Sequence, residues 1–444
     1  MSMPYKIGMV SLGCPKNQVD AEIILRKLAD AGFAITPQEQ EADVIIVNTC
    51  GFIEEAKKEA IENILEAAQY KQHGKLKSLI VTGCLAERYR DEITKEIPEV
   101  DVVVGIGKNS DIVKIVKESL SGKNENYYGE KTDLNIEGAR ILTTQPFWAY
   151  LKIAEGCDNR CSYCAIPAIR GPYRSRSMES ILSEAADLAQ TGVKELILVA
   201  QDTTRYGEDL YGKIMLPGLL KALAQIEGIH WIRMLYTYPD RITDELLDVM
   251  VGVPKVVPYL DIPLQHCNRE ILRRMNRRGD RVQLEALIHK IRTHVPGVTI
   301  RTTLIAGFPG ETEQQFEELC EFVKSQRFDR LGCFAYSAEE NTPAAEFGNQ
   351  IDPQVKQNRM DIIMSEQLTI VHEKNKSRIG STTEVLVEGY DSYIKCYFGR
   401  SAAEAPEIDG KIFFTSPRPL EIGGFVNVLI NDTLDYDLLG ELAE

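Results

Sequence analysis

The sequence predicts an α/β protein in three parts: an N-terminal doubly wound parallel sheet, a central open (β/α)6 partial TIM barrel, and a small C-terminal antiparallel β-barrel. Three observations carry that expectation. The chain has 444 residues, 44% of them hydrophobic, which is too long for one ordinary core and too apolar for a disordered chain. Short apolar runs alternate with helical patterns as far as Ser377, the β-α-β rhythm of parallel sheets. After Gly380 the pattern changes to five short strand-like runs separated by Gly, Pro, Asp and Asn.

In the first part, Ile7–Leu12, Val44–Val47, Leu79–Thr82 and Val102–Val104 are continuous apolar runs and read as buried parallel strands. Asp20–Ala31, Glu54–Gln69 and Glu87–Glu96 read as the amphipathic helices between them, an order that winds a sheet on both faces. Ser121–Arg140 is polar, carries glycine and has no period, which marks a linker. In the central part the strands are Ala149–Ala154, Glu195–Ala200, Ile232–Tyr236, Pro258–Leu264, Thr299–Ile305 and Arg330–Phe334. Helical patterns lie between them at Glu179–Thr191, Pro217–Glu227, Asp244–Val251, Val282–His294 and Glu313–Gln326. Six βα units make an incomplete parallel barrel whose working residues belong at the strand C-termini. One long helical pattern, Pro353–Lys376, closes this part. Thr383–Val387, Tyr393–Gly399, Gly410–Thr415, Phe425–Ile430 and Tyr436–Gly440 are the terminal strands. The parts divide at 1–125, 146–377 and 378–444, with 126–145 between them.

Fifty-one Lys and Arg stand against 66 Asp and Glu, a net charge of −15. A chain this acidic does not grip nucleic acid or anionic lipid over its whole surface, but it suits a basic partner. No apolar run reaches about 18 residues and the start carries no secretion signal, so the protein is expected to be cytoplasmic, with no membrane partner. Thiols stay reduced there, and the ten cysteines point to metal rather than to disulfides.

Cys157, Cys161 and Cys164 fall within eight residues. Their spacing lets one loop turn three sulfurs toward a common point, as an iron–sulfur cluster needs. A zinc site would want a fourth nearby Cys or His, and none follows. Three thiolates on a [4Fe-4S] cube leave one iron open to the amine and carboxylate of a small molecule. C-x3-C-x2-C with Tyr163 before the last cysteine resembles the signature of the radical S-adenosylmethionine superfamily. Gly307-Phe-Pro-Gly310-Glu311 is similar to the glycine-rich stretch by which that superfamily approaches its cofactor, although a Phe-Pro-Gly turn at a strand end is more often only a turn. Gln201 and Asp202, with Gln265 and His266, stand at strand tips facing the same mouth, either to touch cofactor or substrate or to tie loops together. On the resemblance, Tyr163, Gln201, Gln265 and Gly307 are the candidate S-adenosylmethionine contacts. Arg170-Gly-Pro-Tyr-Arg174-Ser-Arg176 is a basic run beside the cluster loop, placed to steer a carboxylate or merely to be solvated.

Cys14, Cys50 and Cys84 are 36 and 34 residues apart, a spacing that by itself says nothing. Their contexts, VSLGC, IVNTC and IVTGC, each put the thiol just past a parallel strand. Strands lie roughly 5 Å apart, so three tips can deliver three sulfurs to the ligand-binding edge of an open sheet. Separate buried thiols are the bland alternative; three equivalent positions favour a shared cluster. Cys267, Cys320, Cys333 and Cys396 lack such a relation and read as structural, with Cys267 nearest the mouth.

A three-thiolate sheet, a C-x3-C-x2-C barrel and a small terminal β-barrel, in that order, resemble the methylthiotransferase family, the last piece being similar to a TRAM domain. SLGCPKN (11–17), NTCGFI (48–53), QDTTRYG (201–207), YTYPD (236–240) and DIPLQH (261–266) look most like the branch that modifies an aspartate β-carbon of a small-subunit ribosomal protein. The resemblance implies two [4Fe-4S] clusters and two uses of S-adenosylmethionine. At Cys157, Cys161 and Cys164 the cofactor yields a 5′-deoxyadenosyl radical that takes hydrogen from the aspartate. At Cys14, Cys50 and Cys84 a sulfur is held, methylated and joined to the substrate radical. It also implies a ribosomal protein partner, free or in the small subunit, a reductant such as flavodoxin or ferredoxin, and a sulfur donor. From Lys376 to Glu444 six bases stand against twelve acids, which suits a basic protein better than RNA. The alternatives are a tRNA adenosine methylthiotransferase and a non-catalytic iron–sulfur carrier or sensor.

Overall fold

The structure is a computed structural model and describes residues 4–443. Strands β1 (Lys6–Ser11), β2 (Ala34–Ile35), β3 (Val44–Thr49), β4 (Ser78–Gly83) and β5 (Val102–Val103) form a parallel sheet in the order β2-β1-β3-β4-β5. β3 and β4 are buried along their whole length, as unbroken apolar runs require of a sheet covered on both faces. The winding reverses between β1 and β3, and such a switch point opens a crevice at the strand C-termini. Helix α1 (Pro15–Asp30) begins five residues before the expected start at Asp20. Pro15 occupies its first turn, where a missing N–H costs nothing, and Cys14 is its N-cap. The expected helix Glu87–Glu96 is two helices, Cys84–Tyr89 and Asp91–Glu96, broken where Arg90 takes a φ of 45°. The helix Ile112–Leu120, strongly amphipathic with Ile112, Ile115 and Val116 buried, is an element the sequence reading does not place.

The aperiodic segment 121–140 is anchored rather than loose. Tyr127 bridges Val104, Leu134 is buried, and Arg140 pairs with Glu22 of α1 and with Glu184 at 3.0 and 2.8 Å. Single side chains hold it, so no period marks it.

The central part holds β6 (Trp148–Lys152), a short hairpin of β7 (Ala154–Glu155) with β8 (Arg174–Ser175), and then β9 (Glu195–Val199), β10 (Trp231–Met234), β11 (Val256–Gln265), β12 (Thr299–Ala306) and β13 (Arg330–Ala335). β6 and β9 to β13 pair in parallel, in chain order, with β6 and β13 at the open edges. Leu196, Leu198, Ile232 and Met234 face the surrounding helices, while Tyr150, Ile197, Val199, Trp231 and Tyr259 face the hollow. That hollow is filled by Val19 and Ile23 of α1 and by Leu386 and Ala405 of the last part. The first sheet thus packs a helix into the barrel and brings its own strand tips to the barrel's mouth.

Strands β14 (Thr382–Asp391), β15 (Cys396–Arg400), β16 (Ile412–Thr415), β17 (Phe425–Leu434) and β18 (Asp437–Leu442) close a barrel in the order β14-β15-β16-β18-β17. The purely antiparallel expectation needs correction, because β16 and β18 run parallel. An odd number of strands closed into a ring cannot alternate direction all the way round. Arg400 fastens this barrel to the central part, reaching Glu195 at 2.7 Å, and the Tyr259 hydroxyl donates to Asp409 at 2.7 Å. Among the described residues no helix is long and apolar enough to cross a membrane.

Candidate active site between two cysteine triplets

The sheet triplet is set by strand register and by two glycines. Ser11 lies beside Asn48, and Thr49 beside Gly83, so the three chains leave the sheet at one level. Gly13 has a φ of +88°, and a Cβ there would stand 2.6 Å from Cys50 Cβ and 2.9 Å from its sulfur. Gly83, at +95°, has Thr49 backbone where a Cβ would go. Burial pushes the Cys50 thiol up to about 12, with Cys84 and Cys14 adding to the shift. Cys84 is raised for the same first reason, opposed by Arg170.

The loop triplet is pinned from outside. Cys157 N–H donates to the Gly171 carbonyl, Ser162 bonds the backbone of Met275 and Arg274, and Asn276 donates to the Asn159 and Arg160 carbonyls. The Arg277 guanidinium lies 3.8 Å from Cys161 Sγ and 4.3 Å from the Tyr238 ring centroid. Burial, then the neighbouring thiols, raises Cys164, and burial holds Cys157 up at about 11.

Between the triplets runs a buried charge network. Lys152 pairs with Asp20 and with Glu155, the latter at 2.9 Å; Arg170 pairs with the same carboxylates at 2.6 and 3.4 Å. Arg170 also donates to Asn17 Oδ1 at 3.0 Å and to Cys84 Sγ at 3.3 Å. Its helix, Ile166–Arg170, follows Cys164 directly, and Ala165 and Ile169 pack on Cys84. Arg170 and Arg176 are 1% and 2% exposed. For Arg170 and Arg176 this corrects both sequence readings, since these guanidinia are neither solvated nor free to steer a carboxylate, whereas Arg174 between them is half-buried.

The other candidate residues divide. Asp202 ties loops: it accepts from Asn159 and Thr204 and pairs with Arg241 at 3.1 Å. His266 accepts the Cys267 and Asn268 N–H groups at Nδ1, and burial lowers it to about 3. Gln201 donates to Glu155, but its Oε1 is buried without a partner, as is Gln265 Oε1; Gln265 has a φ of 71°. Tyr163 packs against the barrel core. The N–H of Gly307 is taken by Glu311 Oε2 at 2.7 Å and Lys356 fills the space beside it, so in this arrangement the turn is engaged by its own chain. Cys267 is fully buried, its thiol toward the Glu318 carbonyl. Lys16, Asp20, Lys152 and Glu155 were not singled out by sequence; the available signal was charge inside apolar runs, as with Lys152 in the first barrel strand.

Do these residues fit iron–sulfur clusters? In each triplet the thiols lie within electrostatic reach of one another, and burial with that mutual repulsion raises Cys50 and Cys84 in one and Cys157 and Cys164 in the other, a donor set that a polycation stabilises as thiolates. Among the described residues no three His, Cys, Asp or Glu surround a single point as one metal ion would need; a cube takes one sulfur per iron corner instead. The orphaned Gln201 and Gln265 oxygens are acceptors suited to a cofactor's donor groups. An open cavity of about 910 Å³ lies elsewhere, lined by Arg140, Arg176 and Glu184, where Glu184 pairs with Arg140 at 2.8 Å and with Arg176 at 2.5 Å.

Three family models match the chain: "Uncharacterized protein family UPF0004" over residues 6–105, "Radical SAM superfamily" over 151–323 and "TRAM domain" over 379–443. The ribosomal protein uS12 methylthiotransferase RimO of Desulforamulus reducens is 53% identical, with 99% of each chain covered. The proteins of the same name from Acetivibrio thermocellus and Clostridium botulinum are 52% and 51% identical, covering 99% of this chain and 99% and 98% of theirs. Among solved structures, the radical S-adenosylmethionine methyltransferase TsrM of Kitasatospora setae aligns with a TM-score of 0.58 at 12% identity, over 78% of this chain and 77% of that one. The S-adenosylmethionine radical enzyme OxsB gives 0.51 at 14% identity, over 83% and 58%. These two likenesses speak to fold alone.

Proposed function

From a chain that belongs to the RimO family of ribosomal protein uS12 methylthiotransferases, we propose transfer of a methylthio group to the β-carbon of an aspartate in uS12. The protein is a radical S-adenosylmethionine methylthiotransferase acting on uS12, a reading favoured over tRNA adenosine by identity near 50% along the whole chain. Membership of the radical S-adenosylmethionine superfamily implies a four-iron cluster and that cofactor. Our finer reading adds a second cluster, the aspartate, a flavodoxin-like reductant, a sulfur donor and a cytoplasmic site of action.

Cys157, Cys161 and Cys164 would hold the cluster that supplies an electron to S-adenosylmethionine, and Cys14, Cys50 and Cys84 the one that supplies a corner for sulfur. The rest is positioning by this chain. α1 packs Val19 and Ile23 into the barrel hollow and the helix Ile166–Arg170 packs on Cys84, which holds the two triplets to one mouth. Gln201 and Gln265 offer oxygens toward the mouth. The acidic terminal barrel suits a basic ribosomal protein.

The observation that carries this reading is the contact of Arg170, six residues after one triplet, with the sulfur of Cys84 in the other. The test is anaerobically reconstituted protein given S-adenosylmethionine, reductant, sulfide and uS12, read by peptide mass spectrometry. We expect a methylthio group on one aspartate. Modification of an RNA stem-loop instead, or iron enough for one cluster only, would overturn it.

A further inference from the structure

Lys16 stands out from the other buried cations around the triplets. It is 7% exposed, and its Nζ lies 3.3 Å from the Tyr236 ring centroid. Among the described residues it forms no ion pair and no hydrogen bond through its ammonium. The adjacent carboxylates do not bond it: Asp20 and Glu155 are held directly by Lys152 and Arg170, and Glu155 reaches Lys16 only through space. An ammonium held from water with no carboxylate in contact is costly, and a tyrosine face returns only part of that cost.

The support beneath it is itself strained. Tyr236 has a φ of 60°, rare for an aromatic residue. Its N–H on Asp261 at 2.9 Å and its carbonyl on Thr203 N–H at 3.0 Å lock that conformation. Strain kept in place by two bonds, under an unpaired cation, marks a prepared ligand site.

Position says which ligand. Lys16 is two residues past Cys14, in the first turn of α1, and Tyr236 is two residues past β10, so the ammonium stands where the helix that follows β1 meets the strand tips of the barrel. Resting on the functional reading above, we propose that Lys16 is the specificity-determining residue of the reaction: its ammonium receives the side-chain carboxylate of the target aspartate. The β-carbon is bonded to that carboxylate, so fixing one orients the other between the triplets.

The test uses the reconstituted enzyme with S-adenosylmethionine and no reductant, so that nothing turns over. Binding of uS12 is compared with that of uS12 in which the modified aspartate is Asn. Wild type should prefer the aspartate form by about tenfold, the ratio one charge-assisted contact of about 1.4 kcal/mol gives. Lys16→Met should reduce the ratio to near one and Lys16→Arg should keep part of it. Both variants should retain wild-type iron content and the resonance spectra of both reduced clusters. Undiminished preference in Lys16→Met would overturn the proposal. A changed spectrum of the Cys14 cluster with preference intact would also overturn it and assign Lys16 to that cluster's charge. Wild type holding two clusters but failing to bind uS12 would sink the substrate reading and this inference together.

Discussion

The two cysteine triplets solve one geometric problem in opposite ways. Cys157, Cys161 and Cys164 are neighbours in sequence on a loop with no ladder of its own, so distant residues must pin it: Met275, Asn276 and Arg277 on one side and Gly171 on the other. Cys14, Cys50 and Cys84 are dispersed, yet sheet register brings them level, and the local requirement is only that Gly13 and Gly83 turn sharply. Proximity in sequence therefore leaves orientation to tertiary contacts. Dispersal in sequence hands orientation to the backbone.

The sharpest way to break this comparison is to remove one ligand from each side. Cys157→Ala should abolish both formation of 5′-deoxyadenosine and modification of uS12. Cys50→Ala should leave cofactor cleavage intact while stopping thiolation, as read by chromatography of the nucleoside beside peptide mass spectrometry. Methylthio product from the Cys50 variant would remove the sheet triplet from the chemistry.

Next is the link between them. Arg170→Gln leaves Asp20 and Glu155 with Lys152 as their only cation, in a site where the side chains are at most 2% exposed. Loss of one partner from a buried network costs about 3–5 kcal/mol, measurable as a lower denaturant midpoint. Gly13→Ala should act on one triplet only. The added methyl meets Cys50, and the strained φ adds to a cost of about 1–3 kcal/mol. Iron content should fall by about half, with radical chemistry retained.

The smallest effect is a control that touches neither triplet. Burial, against the pull of Arg359, holds Glu311 up at about 7. Its folded value lies above the unfolded 4.5, so the native state binds the proton more tightly and stability falls as pH rises through that window. Glu311→Gln should flatten a slope of at most about 1.4 kcal/mol per pH unit, followed by chemical denaturation from pH 4.5 to 7. Neither cluster's iron content should change.

What could be read from the sequence follows from the same contrast. The loop triplet is legible because its spacing is local, and the sheet triplet because strand-then-cysteine recurs three times. The charge network was not, because Asp20 and Lys152 are 132 residues apart and Asp20 and Arg170 are 150. Arg170 looked like part of an exposed basic run, and only burial against Cys84 reveals its partner. Gly307 looked like a cofactor cradle, yet its amide serves Glu311, a carboxylate four residues on that composition gave no reason to turn inward. The parallel β16–β18 pair follows from parity, which spacing along the chain does not reveal until the ring is known to close.

That closed ring has a further consequence. Every strand of the terminal module already has two neighbours, so it offers no rim of free amides to which a ribosomal tail might be stitched as an extra strand. Whatever that module grips must be held by side chains, and the tip between β14 and β15, where Tyr393 is 94% exposed, presents an aromatic finger rather than a seam.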